Sequence, residues 1–266
     1  MPAGSEVKVR EVGRCIYCGR TDVPLSREHV IPHGLDADWV LRKASCPDCS
    51  KVTSQFEEDV LKDTLRGFRA AMGLPSYRKG ERPQTLPITV GRGGQEFEVE
   101  LPLAEGVAVF QMPHFPPAGF VEGRECTEGI SVVGSDFRFC GKPLEEVARE
   151  LGANSLSVKV TAWANSFARL LAKVAYGAVV LYYGPDHLDD VFVLPAILGK
   201  SNDIGYWVGA GRPEIPPEFR SKAHYVQVAQ SARGIVLAHV GLLARFGGLE
   251  YSVVVGHTPH RLEAGA

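Results

Sequence analysis

This chain of 266 residues is short of several things, and each shortage excludes a class of protein. No run of eighteen apolar residues exists. The nearest approach, from Phe167 to Tyr183, is broken by Arg169, Lys173 and Gly177, so no segment reads as a membrane span. The opening residues MPAGSEVKVREVG hold no apolar signal core. An excess of either charge is also missing, with 29 basic against 31 acidic side chains and a sequence pI of about 6.5. Such a chain does not coat nucleic acid or an anionic membrane by bulk charge; any contact of that kind must come from a local patch. Internal repeats and low-complexity tracts are lacking too. The composition, 45% hydrophobic and 23% charged, is that of an ordinary globular protein with room for one large domain or two small ones. The expectation is a soluble, cytoplasmic protein with no membrane partner.

Six cysteines are too few for a disulfide scaffold, yet they are not scattered. Four fall as Cys15-x2-Cys18 and Cys46-x2-Cys49, while Cys126 and Cys140 stand apart. Each C-x2-C knuckle turns both sulfurs toward one point, and two knuckles in one small segment read as a four-thiolate structural zinc site. A disulfide pairing of the same thiols would suit an exported chain, and nothing else here indicates export.

Composition divides the chain at about residue 83. Residues 1–83 carry the knuckles, many charges and few long apolar runs, as expected of a unit stapled by metal. Residues 84–266 read as a larger α+β domain of antiparallel strands and helices. Short alternating stretches at Leu86–Val90, Phe97–Leu101, Val107–Met112 and Ile130–Phe139 predict strands, with Gly91-Arg92-Gly93-Gly94 as a hairpin turn. Helices are expected at 143–151 and 162–181, and further strands at 235–246 and 251–255. The second knuckle feeds a helical stripe of Val52, Phe56, Val60, Leu61, Leu65, Phe68 and Met72, predicting one helix from Ser50 to about Met72 that ends at Gly73-Leu74-Pro75.

Between the knuckles lies Leu25-Ser26-Arg27-Glu28-His29-Val30-Ile31-Pro32-His33. A carboxylate followed by histidine, in a β-prone stretch closed by proline, can set one group on a metal and its neighbour beside it. Together with the flanking knuckles and the following helix, this resembles the HNH endonuclease family. The closer likeness is to its zinc-knuckled subfamily, which reads C-x2-C, L-x-x-E-H-x-I-P, C-x2-C and then a helix with an acidic pair. The resemblance covers about residues 14–83. It implies a ββα-metal fold and an endonuclease that hydrolyses DNA phosphodiester bonds with one divalent ion, Mg2+ or Mn2+. His29 would be the general base and Glu28 a ligand of the ion. The family usually has asparagine or histidine directly after the second knuckle as a further ligand; here it is Ser50, a weaker one that can hold a metal-bound water. Glu57, two helical turns on, can supply the missing ligand or belong to the solvated face with Glu58 and Asp59. The middle asparagine of the family name is absent from VLRKAS. His33 reads as a surface or phosphate-contacting residue.

From Lys62 to Pro83 the cations Lys62, Arg66, Arg69, Arg78, Lys79 and Arg82 face only Asp63 and Glu81. Arg66, Arg69, Arg78, Lys79 and Arg82 are the candidate nucleic-acid contacts, and Tyr77 beside Arg78 and Lys79 suits stacking on a strand; a solvated helix face explains Lys62 and Arg66 equally well. The helix at 162–181 is apolar on most faces, with Arg169 and Lys173 on one side, and is expected to be buried against strands. His187, His224, His239, His257 and His260 are too dispersed for a metal site, and Tyr182, Tyr183, Tyr206 and Trp207 read as core or interface. Residues 84–266 could position the nuclease, sense a ligand or form a homodimer. The competing class, motivated by Ser50, is a non-catalytic zinc-stapled module that binds nucleic acid or protein.

Overall fold

The computed structural model describes residues 8–76, 80 and 82–261. Three strands open the chain: β1 (Lys8–Glu11), β2 (Ser26–His29) and β3 (Trp39–Ser45). They form one sheet in the order β1-β3-β2, with β1 parallel and β2 antiparallel to β3, and Glu28 and His29 pair with Leu41 and Val40. Helix α1 (Pro47–Glu58) follows directly. Cys46 is its N-cap and Pro47 starts its first turn, where a missing N–H leaves no hydrogen bond unmade.

The single helix expected from Ser50 to Met72 is instead three pieces. After α1 the chain widens into a π-helical segment, Asp59–Thr64, in which the Leu65 N–H donates to the Val60 carbonyl at 2.9 Å; α2 (Arg66–Ala71) then completes it. The apolar stripe carries no sign of this break, because its cause is tertiary. Asp59 accepts a hydrogen bond from Ser166 Oγ (2.6 Å) and Asp63 one from Trp163 Nε1 (2.8 Å), which ties the wide turn to the start of a distant helix. Gly73, at φ 64°, ends the run ahead of Pro75 as expected.

The remaining elements are β4 (Thr85–Arg92), β5 (Gln95–Pro102), β6 (Val107–His114), α3 (Gly119–Glu122), β7 (Gly134–Gly141), α4 (Leu144–Leu151), β8 (Ser155–Ser157), α5 (Ala164–Tyr183), β9 (Asp190–Val191), α6 (Leu194–Ile197), α7 (Ile204–Trp207), β10 (Val208–Ala210), β11 (His224–Gln230), β12 (Ile235–Leu242) and β13 (Glu250–His257). β4 and β5 form the expected hairpin, with β8 on the other side of β4; β6 pairs with β7; and β10-β13-β12-β11 make an antiparallel sheet with β9 added to β13. The fold is mixed α+β, as the sequence indicates. β12 stops at Leu242, short of its expected end, because Ala244–Phe246 form a tight turn entered through Leu243 at φ 57°.

Helix α5 is the axis of the molecule. It packs on α1 and β3 to one side and on β12 and β13 to the other. One apolar core runs from Cys15 and Ile16 through Phe56 and α5 to Val253 and Val255, so residues on both sides of position 83 share it; Ile88, Val90, Leu101, Val107, Val109 and Val147 make a separate, smaller cluster. Two details seat α5 against the first sheet. A Cβ on Gly177 would lie 3.3 Å from Val30 Cγ1, so the glycine permits the close approach. Arg10 donates to the Leu181 and Tyr182 carbonyls at 2.7 and 2.9 Å, which satisfies groups the helix end leaves open.

Candidate functional site

The knuckles gather their sulfurs as the spacing requires. The four Sγ atoms of Cys15, Cys18, Cys46 and Cys49 lie within 4.8 Å of one another, three of the residues buried and Cys18 exposed. Gly19, at φ 76°, turns the first knuckle so that its own N–H returns to the Cys15 carbonyl, and the Ile16 N–H bonds the Ala44 carbonyl of β3. Burial pushes the Cys15 and Cys49 thiols up, whereas at Cys46 hydrogen bonds from Cys49 and the neighbouring thiols outweigh burial and lower it. A soft tetrahedral ion such as zinc fits this donor set. Cys126 and Cys140 lie outside the group.

The second feature is a cleft of about 810 Å³ between the end of β2, the exposed side of α1 and residues 74–76 and 82–83. Glu28, His29, Ser50 and Glu57 all line it, so the structure brings these sequence candidates to one wall. His33 lines it too, its ring centroid 5.5 Å from that of His29. Burial, the Lys173 ammonium and the neighbouring His33 hold the His29 pKa below the usual 6.5, so its imidazole is neutral at physiological pH and able to accept a proton.

The carboxylates have a partner that the sequence reading leaves in the apolar helix. Lys173 of α5 reaches the floor of the cleft, and its ammonium lies 2.8 Å from Glu28 Oε1 and 2.7 Å from Glu57 Oε1; it also donates to the His29 carbonyl. The Lys173 side chain is 1% exposed, that of Glu28 7% and that of Glu57 21%. Burial alone would discharge the lysine, but the two carboxylates reverse this and push its pKa up to about 12. Burial pushes the Glu57 carboxyl up against the pull of Lys173. Tyr17, buried close by, has its hydroxyl pushed up by burial and then by Glu28 and Glu57. The divalent ion expected between Glu28 and the helix does not fit this arrangement, because one oxygen of each carboxylate already holds a cation of the chain itself.

The candidate phosphate contacts divide. Arg66 is exposed on the cleft rim, as is Arg27, and among the described residues neither has an ion-pair partner. Arg82 lines the cleft and donates to the Leu74 carbonyl. Arg69 gives its guanidinium to the Gly34, Leu61 and Pro75 carbonyls at 2.8, 2.9 and 2.8 Å, and so braces the cleft wall. Arg78 and Lys79, with Tyr77, lie outside the described residues.

Two contributors escape the sequence reading. A lysine in an otherwise apolar helix signals a buried counter-charge, which is the trace Lys173 leaves. His224 leaves none: it is buried in β11, where Nδ1 accepts from the Leu243 N–H (3.2 Å), so Nε2 donates to the Leu35 carbonyl (2.8 Å) and pins the loop after His33. Burial pushes its pKa down to about 4. No helix among the described residues is long and apolar enough to cross a membrane. The chain matches no family model, no curated protein and no solved structure.

Proposed function

We propose that the chain is an endonuclease that hydrolyses DNA phosphodiester bonds in the cleft, with His29 as general base and a structural zinc ion on the four thiols. The observation that carries this reading is a neutral imidazole opening into a cleft rimmed by Arg27, Arg66 and Arg82. The order C-x2-C, E-H-x-I-P, C-x2-C and helix, with two antiparallel strands ahead of the helix, supports it as a resemblance. In the reaction, His29 takes a proton from water as the water oxygen bonds to phosphorus. The bond to the 3′ oxygen breaks, and that oxygen takes a proton from solvent. The rim guanidiniums bind the phosphate oxygens and offset the charge that builds on them. No step is assigned to Mg2+ or Mn2+, since the carboxylates that would bind the ion are held by Lys173. The chain then acts in the cytoplasm, and residues 84–266 supply α5 and the frame that holds the cleft.

The second reading is a non-catalytic module that binds nucleic acid through the same rim. The engagement of both carboxylates by Lys173 favours it. A cleavage assay on labelled duplex and single-stranded DNA, comparing wild type with His29→Ala, separates the two. Cleavage lost in the variant supports the nuclease, equal cleavage in both removes His29 as the base, and binding without cleavage supports the module.

A further inference from the structure

We infer that Lys173 is the resident cation of the Glu28–Glu57 pair, a positioning residue that takes the place of a divalent ion and leaves the pair a latent metal site. An ammonium has three hydrogens to donate. In this chain their acceptors are Glu28 Oε1, Glu57 Oε1 and the His29 carbonyl. The first two come from β2 and α1, the two elements a bound ion would bridge. The third is the backbone of the histidine that faces the cleft. Lys173 thus ties the end of β2 to α1 and α5 through one ammonium.

The placement is built into the fold and does not depend on a mobile side chain. Lys173 is nearly inaccessible, four residues before the Gly177 that lets α5 approach Val30. Arg169, four residues earlier, lies 4.7 Å from the Phe56 ring and donates to the Ile197 carbonyl, so both cations of α5 are directed at fixed partners. A Mg2+ or Mn2+ ion drawing on the same carboxylates would lie beside a charge of its own sign. Removing that charge while keeping the bulk should reverse the preference. In Lys173→Met two carboxylates face a space without a cation, and the hard oxygen ligands suit a divalent ion.

The test is titration of the zinc-loaded full chain with Mn2+, read by the electron paramagnetic resonance signal of the free ion. The wild type should take up no Mn2+ that Glu28→Gln removes. Lys173→Met should bind one equivalent, about tenfold or more tighter than any wild-type uptake, the order by which metal sites respond to changes beside their ligands. Adding Glu28→Gln to Lys173→Met should abolish that gain. Mn2+ bound by the wild type and lost in Glu28→Gln overturns the inference, as does a folded, zinc-bearing Lys173→Met that binds none. If Lys173→Met fails to fold, the wild-type titration decides alone. Cleavage rests on the nuclease reading and is scored separately. Wild-type cleavage unchanged by added Mg2+ supports the resident cation, and cleavage that requires Mg2+ and Glu28 overturns it. Absence of cleavage overturns the nuclease reading only, and the Mn2+ titration still judges Lys173.

Discussion

Helix α1 begins at one cluster of ligand-type side chains and ends at another, and the two are assembled in opposite ways. At its N-terminus Cys46 and Cys49 meet Cys15 and Cys18 through local turns, and among the described residues no cationic side chain hydrogen-bonds to the sulfurs. At its C-terminal end Glu57 meets Glu28 across an ammonium that arrives from a helix 144 residues away in sequence from His29. The thiols form a donor set that an external ion such as zinc could complete. The carboxylates form a closed one, completed from within the chain. Residue types alone therefore do not tell a metal site from an ion-pair network; the third partner decides.

The largest expected effect breaks the open cluster. Cys46→Ser should abolish stoichiometric zinc and unfold the strands and helix around it, because binding a structural zinc is worth about 10–16 kcal/mol of folding free energy. Metal content and hydrogen exchange over residues 8–58 check this. Full zinc retained after both Cys15 and Cys18 are replaced would contradict a four-thiolate site.

Next comes the closed cluster. Lys173→Ala strands one buried and one half-buried carboxylate and should cost about 3–5 kcal/mol in urea unfolding. Adding Glu57→Gln should recover part of that loss, since one of the unpaired charges is removed. A cost near zero for Lys173→Ala would mean that the network bears no weight.

The frame around the cleft answers to pH. His224 has a folded pKa of about 4 against the usual 6.5, so the unfolded chain binds the extra proton first. Stability from this group is complete above pH 6.5 and is lost as pH falls from 6.5 toward 4, by about 3 kcal/mol in all. His29 and His187, also lowered, act in the same direction. The measurement is therefore the difference in slope between wild type and His224→Gln over that window; identical slopes would remove His224 as the cause.

The smallest effects sharpen the contrast between brace and contact. Arg69→Ala leaves three carbonyls without their donor and should cost about 1–3 kcal/mol, whereas Arg66→Ala should stay within about 0.5 kcal/mol. If the rim binds nucleic acid, Arg66→Ala should weaken it across all sequences and reduce the salt slope by about 1. Equal stability losses in the two variants would erase the distinction.

What the sequence made legible follows the same division. Knuckle spacing, the β4–β5 hairpin, α4 and α5 rest on local pattern and turn chemistry, and each stands where the pattern puts it. The cleft candidates Glu28, His29, Ser50 and Glu57 were found by motif and do share one wall. The π-helical segment, the role of Arg69, and the parts played by Lys173 and His224 were not legible. Each depends on which distant backbone or side chain it meets, and hydrophobic periodicity does not record that. β1, β8, β9, β10 and β11 were missed, and β11 is bound to the core through Val226 and the buried His224.

The most direct measurement is the metal inventory of the purified full chain after equilibration with zinc and manganese and removal of loosely held ions. The expected result is one zinc and no manganese per chain, because among the described residues the four thiols are the one group of three or more ligand side chains close enough to share an ion. A second, tightly held manganese ion that disappears in Glu28→Gln would contradict the closed carboxylate cluster and return the divalent ion to the cleft.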